Sequence, residues 1–175
     1  MKKNLVLIGM MGSGKSTIGK EISKKSTLKF KDTDRLIEDN VGIKIRDIFD
    51  QKGEFFFRSI EEKIVLKTLK LTGQVIAIGG GSFLNKKIRL EILKNNISFW
   101  LNWKNDIILQ RITKSKKRPK LDFLSDKDIL RLISSRSKTY LKADFKVNCD
   151  NLNKFQISRK ILKIYENKKN SNSYS

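Results

Sequence analysis

An α/β fold, with one parallel sheet of about five strands flanked by helices on both faces, is what this sequence predicts. Three observations predict it. Short apolar runs alternate with stretches of helical periodicity along the whole chain, the pattern of successive β-α units. The run Leu5-Val6-Leu7-Ile8 passes straight into a glycine-rich turn and then a helix. Finally, 175 residues with 38% hydrophobic content suffice for one full core, with no room for two ordinary domains.

The first unit carries the strongest signal. Residues 4–9 read as a buried strand and 15–25 as a helix. Between them lies Gly9-Met10-Met11-Gly12-Ser13-Gly14-Lys15-Ser16-Thr17, with the G-x-x-x-x-G-K-[ST] spacing of a phosphate-binding loop. Its glycines let successive backbone N–H groups point into one concavity, a nest for phosphate oxygens. The helix that follows adds its free N–H groups and the positive end of its dipole. Lys15 then reaches the terminal phosphates of a nucleoside triphosphate, and the Ser16 hydroxyl holds Mg²⁺. Gly12, Ser13, Gly14, Lys15, Ser16 and Thr17 are thus the candidate nucleotide contacts.

Lys29 to Asp32 reads as a short strand ending in Asp32-Thr33-Asp34, with a helix to about Asn40. Gly42 interrupts it, a second short helix through Ile45, Ile48 and Phe49 stops before Gly53, and a longer one runs from Glu54 to Leu71. Gln74 to Ile78 is a buried strand leading into Gly79-Gly80-Gly81-Ser82; a helix at about 86–94 precedes the strand Ile97 to Leu101. After a helix at about 105–113, Lys114-Ser115-Lys116-Lys117-Arg118-Pro119-Lys120 is basic, carries the only proline, and reads as an exposed, mobile segment. A helix from about Asp126 to Tyr140, a strand near Phe145 to Cys149 and a helix from about Asn153 to Tyr165 complete the domain, expected over 1–166. The polar stretch 167–175 is expected to be a disordered tail.

Composition narrows the chemistry. There is no histidine and one cysteine, Cys149, which excludes histidine bases, Ser-His-Asp triads, an internal disulfide and a cysteine-based zinc site. Carboxylates, lysine, arginine and backbone amides remain. The net charge of +21 raises the question of nucleic acid, but residues 1–87 carry 18 basic and 10 acidic side chains and residues 88–175 carry 21 and 8, so the excess is spread along the chain. No dedicated nucleic-acid partner is expected. No run approaches a membrane-spanning length and no secretory signal precedes the first strand, so a cytoplasmic protein without a membrane partner is expected.

In parallel α/β sheets, ligands gather at the carboxyl ends of the strands. The phosphate loop, Asp32-Thr33-Asp34 and the triple glycine all follow predicted strands, so all three should face one crevice. Locally, each has a plain alternative. Asp32 and Asp34 could serve a metal and an acceptor hydroxyl, or one of them could cap the next helix. The glycines could admit a ligand to the backbone or merely make a turn. Arg58, with Glu61 and Glu62 three and four positions on, reads most simply as a surface ion pair worth tenths of a kcal/mol. Arg118 is either one solvated charge among several or a cation that closes over phosphates. Arg136 has no decisive local signal.

As an ordered set, these residues closely resemble shikimate kinase, a small kinase of the nucleoside-monophosphate-kinase type, from about Leu5 to Phe145. Besides the phosphate loop, Phe30-Lys31-Asp32-Thr33-Asp34 resembles the family's Asp-x-Asp segment. Gly53-Glu54 with Phe57-Arg58 and Glu61 resembles its Gly-Glu…Phe-Arg-x-x-Glu helix, and Gly79-Gly80-Gly81-Ser82 its glycine turn. Lys117-Arg118-Pro119 is similar to its lid (about 114–124), and Arg136 with Tyr140 to its Arg-x-x-x-Tyr helix.

The resemblance implies Mg²⁺-dependent transfer of the ATP γ-phosphoryl group to the 3-hydroxyl of shikimate, on the way to aromatic amino acids, by a monomer. By the family pattern Lys15, Asp34 and Arg118 are catalytic. Asp34, Arg58, Gly80 and Arg136 bind shikimate, Arg111 lies near the adenine, and Ser16 ligates Mg²⁺ with Asp32 acting through water. The chemistry suits the composition, because phosphoryl transfer needs positioning and charge neutralisation more than a strong base. A planar carboxylate also matches arginine's fork better than lysine's point charge.

Some positions depart from the pattern. Ile78 precedes the glycines where the family usually has Thr or another small residue, Lys138 replaces a proline, and Lys120 replaces an apolar lid residue. Asn148 to Leu152 does not clearly match the adenine-side segment. The nearest rival is a sister kinase acting on gluconate or a nucleoside monophosphate; a GTPase lacks its Asn-Lys-x-Asp motif.

Overall fold

The computed structural model describes residues 3–114 and 124–171. Five strands, β1 Leu5–Ile8, β2 Lys29–Asp32, β3 Gln74–Ala77, β4 Ile97–Asn102 and β5 Phe145–Asn148, form one sheet in the order β2-β3-β1-β4-β5. Every pairing is parallel, with Leu5 opposite Val75 on one side and Ile97 on the other. Composition decides which strands are central. β1, β3 and β4 read LVLI, QVIA and ISFWLN and are buried almost throughout, as strands covered on both faces must be. β2 carries lysines at alternate positions and β5 carries Lys146, and these edge strands are partly exposed.

The helices are α1 Lys15–Lys24, α2 Thr33–Val41, α3 Ile45–Leu69, α4 Lys86–Asn95, α5 Asn105–Thr113, α6 Asp126–Tyr140 and α7 Lys154–Ser171, with a 3-10 turn at Ser82–Leu84. Successive residues of β1 serve opposite layers. Val6 and Ile8 pack with Ile76, Trp100, Ile88 and Ile92 of α4, Ile112 of α5 and Ile133 of α6. Leu5 and Leu7 pack with Phe99, Ile18 and Ile22 of α1, and Ile157 and Ile161 of α7. A third cluster, Ile37, Ile48 and Phe57, joins α2 to α3 beside the sheet. Within α3, Gly53 has φ 78° and ψ 172°, so two helices meet there, as the sequence predicts.

Two boundaries differ from expectation. β3 ends at Ala77, and the amide of Ile78 makes only a long 3.4 Å bond to the Leu7 carbonyl as the chain leaves the sheet. The last helix passes Tyr165 and runs to Ser171, so residues 167–171 correct the expectation of a disordered tail. The stretch has no glycine or proline, and an already nucleated helix gains one hydrogen bond for each residue added. Residues 172–175 and 115–123, and with them Arg118 and Lys120, lie outside the described residues.

Candidate active site

The phosphate loop leaves β1 through Gly9 (φ 149°) and turns at Gly12 (φ 78°) and Gly14 (φ 87°), left-handed conformations that side chains resist. Gly14 is the N-cap of α1, so the helix begins at Lys15, directly at the end of the loop. The Lys15 Nζ arches back and donates to the Gly9 and Met10 carbonyls at 2.8 and 3.0 Å. That places an ammonium over the loop's own concavity. Ser13 is fully buried, and its Oγ has no hydrogen-bond partner among the described residues.

Asp32 caps the helix that follows and also bonds to the phosphate loop. Its Oδ1 accepts the Asp34 amide at 3.1 Å as the N-cap of α2, while Oδ2 accepts the Ser16 hydroxyl at 2.5 Å. A hydroxyl and a carboxylate thereby meet at the mouth of the loop. All-oxygen donors with room for water suit Mg²⁺, so this pair fits the metal. Among the described residues no group of three or more His, Cys, Asp or Glu stands together.

On the far rim, the glycine turn is closely packed, most of all at Gly79. A Cβ on Gly79 would lie 2.8 Å from Asp34 Oδ1, 2.8 Å from Ser82 Oγ and 3.0 Å from Glu61 Oε1. Thr33 Oγ1 accepts the Gly79 amide at 3.2 Å, tying the turn to the start of α2. A Cβ on Gly81 would meet Arg58 Nη1 at 2.8 Å, and one on Gly80 would sit 3.6 Å from Arg136 Nη1. Two guanidiniums, from helices far apart in sequence, therefore converge on adjacent glycines.

Arg58 is more than a surface pair. Its Nη1 donates at 2.7 Å to Glu61, whose side chain is only 4% exposed, and Nη2 meets Glu54 at 3.2 Å. Burial alone would lower the Arg58 pKa, but Glu61 and then Glu54 outweigh it and raise it, so the cation is secure. Glu61 also accepts from the buried Ser82 hydroxyl at 2.7 Å, whereas Glu62 turns away to Asn85 and Lys87. Arg136 approaches Met10 Sδ at 3.7 Å, and its buried Nε has no hydrogen-bond partner among the described residues. Tyr140, one turn on, donates its hydroxyl to the Gly80 carbonyl; burial pushes that phenol up to about 12, against the opposing pull of Arg136.

The geometry agrees with the comparisons. A family model described as shikimate kinase matches residues 11–166. A shikimate kinase from Sulfurihydrogenibium sp. (strain YO3AOP1) is 39% identical over 91% of this chain and 96% of its own. The shikimate kinase of Acinetobacter baumannii in complex with shikimate superposes with a TM-score of 0.89 at 27% identity, covering 97% of this chain and 96% of that one. The enzyme from Aquifex aeolicus gives 0.83 at 31% identity over 93% and 96%.

The chain belongs to the shikimate kinase family. As a shikimate kinase it acts on an alcohol group of a small molecule, with ATP as the family's co-substrate. The structure brings Asp34, Gly80, Arg58 and Arg136 to one rim and the phosphate loop to the other. Arg111 lies beside the loop, its Nη1 3.5 Å from the Gly12 carbonyl. Thr17 is exposed on the first turn of α1.

The departures from the family pattern have physical outcomes. Ile78 is 1% exposed and packs in the core, so it adds an apolar contact rather than a hydroxyl near the metal. Lys138 is exposed on α6. In the adenine-side segment, Asn148 pairs with Asn102 at 3.0 Å, Asp150 accepts the Lys104 amide at 2.9 Å, and Asn151 adopts φ 59°. Cys149 is buried; burial first, then Asp150, pushes its thiol up to about 12, so it stays neutral and is no nucleophile. Sequence reasoning missed the bonds from Thr33 and Tyr140 to the glycine turn and the Glu61–Ser82 pair. Only Glu61 and Tyr140 carried a signal, through the motif positions they occupy.

Proposed function

We propose that the crevice transfers the γ-phosphoryl group of ATP to the 3-hydroxyl of shikimate, with each rim serving one substrate. The convergence of Arg58 and Arg136 on Gly81 and Gly80, across from the phosphate loop, carries this reading. Two forked cations at one turn suit a planar carboxylate, and Asp34 beside Gly79 suits the hydroxyls of the same ring.

In this reading the amides of residues 12–17 cradle the nucleotide phosphates, and Lys15 swings from the loop carbonyls to the transferring group. Ser16, with Asp32 behind it, would hold Mg²⁺, which supplies charge neutralisation on the phosphates. Arg58, held by Glu61 and Glu54, and Arg136 take the shikimate carboxylate, while the Gly80 backbone touches the ring. Asp34 orients the 3-hydroxyl and accepts its proton as the oxygen bonds to the γ-phosphorus and the bond to the ADP oxygen breaks. Arg118 closes onto the phosphates from the lid, and Arg111 lies beside the adenine. The protein works as a cytoplasmic monomer.

The test is Asp34→Asn, which keeps the shape and removes the base. Turnover is expected to fall about a hundredfold or more, with ADP binding unchanged by calorimetry. Normal turnover in this variant would remove Asp34 from the mechanism.

A further inference from the structure

Trp103 stands just past the end of β4, half-buried among Asn102, Lys104 and Asn105. It packs against both sheet layers, so its ring is held from two sides. The indole N–H donates to the Ser13 carbonyl at 3.0 Å, a bond across the sequence into the phosphate loop. The Arg111 guanidinium lies 3.8 Å from the ring centroid, the distance of a flat stack. Arg111 is exposed, and from the same position its Nη1 points at the Gly12 carbonyl. One aromatic side chain thus bonds the backbone of the loop and lies against the cation beside it.

We propose that Trp103 is a positioning residue of the nucleotide site, acting in two separable ways. Its N–H holds the Ser13 peptide so that the loop's amides keep their phosphate geometry before ligand arrives. Its ring covers one face of the Arg111 guanidinium and presents the other face, flat and ordered, to a purine base. The result is a three-layer stack of indole, guanidinium and base. A guanidinium ordered in advance loses less rotamer freedom when the base binds. This proposal rests on the reading that places Arg111 beside the adenine.

The test compares the folded full chain with Trp103→Phe, Trp103→Leu and Arg111→Ala, using ADP and inorganic tripolyphosphate as probes. Trp103→Phe keeps a ring and loses the N–H, so both probes are expected to weaken by a similar factor, about fivefold. Trp103→Leu loses the stack as well, so ADP is expected to weaken about fivefold further while tripolyphosphate does not. In turnover, the KM for ATP rises in both variants with the KM for shikimate held, which also reports an intact fold. ADP is expected to change tryptophan fluorescence in the parent and not in Trp103→Phe, where Trp100 is the remaining indole. If Arg111→Ala weakens ADP but neither Trp103 variant does, the positioning role is wrong and the reading of Arg111 stands. If Arg111→Ala also leaves ADP unchanged, the base lies elsewhere and both fall.

Discussion

Arg58 shows how a residue with a bland local reading acquires a role from its surroundings. Three and four positions along a helix, acidic neighbours normally make exposed pairs of little worth. Here Glu61 is buried, tied to Ser82, and fixes one end of the guanidinium, while Glu54 steadies another nitrogen. The side chain remains 38% exposed, so on the proposed reading its donors can meet an incoming carboxylate. Arg58→Ala is therefore expected to lower kcat/KM for shikimate by about a hundredfold, the scale of a lost charge-assisted bond. Lys63→Ala, an exposed cation on the same helix, should change it less than twofold by steady-state kinetics. Equal effects would reduce Arg58 to a surface charge.

Among the elements, the glycine turn after β3 depends most on having no side chains. Gly79 is surrounded by the oxygens of Asp34, Ser82 and Glu61, and each of these is already engaged elsewhere. Gly79→Ala would push at least one carboxylate aside. A fall in kcat of at least about tenfold is expected, because a catalytic group displaced by an ångström loses its alignment. Circular dichroism should show the fold retained; full activity would mean the crowding is relieved harmlessly. The turn also marks where sequence reading ends. Its position was legible from three glycines after a buried strand, and the phosphate loop from its spacing, because both are local patterns. Thr33 to Gly79, Tyr140 to Gly80 and Trp103 to Ser13 are bonds between distant segments, with no periodicity to betray them. The last helix was read short because its polar end lacks the apolar stripe that marks a buried face, although nothing in it breaks a helix.

At the scale of the whole molecule, the strand order does what no single motif can. The alternation of strands and helices predicted a parallel sheet, and the strand-end rule predicted one crevice. The order β2-β3-β1-β4-β5 sets the phosphate loop of β1 directly beside the glycine turn of β3, with Asp32 at the end of β2 and Asp34 just after it on the outside. The phosphate loop and the glycine turn are consequently neighbours in the sheet although they lie far apart in the chain. The excess positive charge has no such address: it is spread over both halves of the sequence. The central claim is that these two rims join ATP to shikimate. The most direct measurement is a coupled assay of ADP release by the folded protein with Mg²⁺, offering shikimate, gluconate and nucleoside monophosphates in turn. Release that depends on shikimate, with the other acceptors near background, is the result expected; no shikimate-dependent release would contradict it.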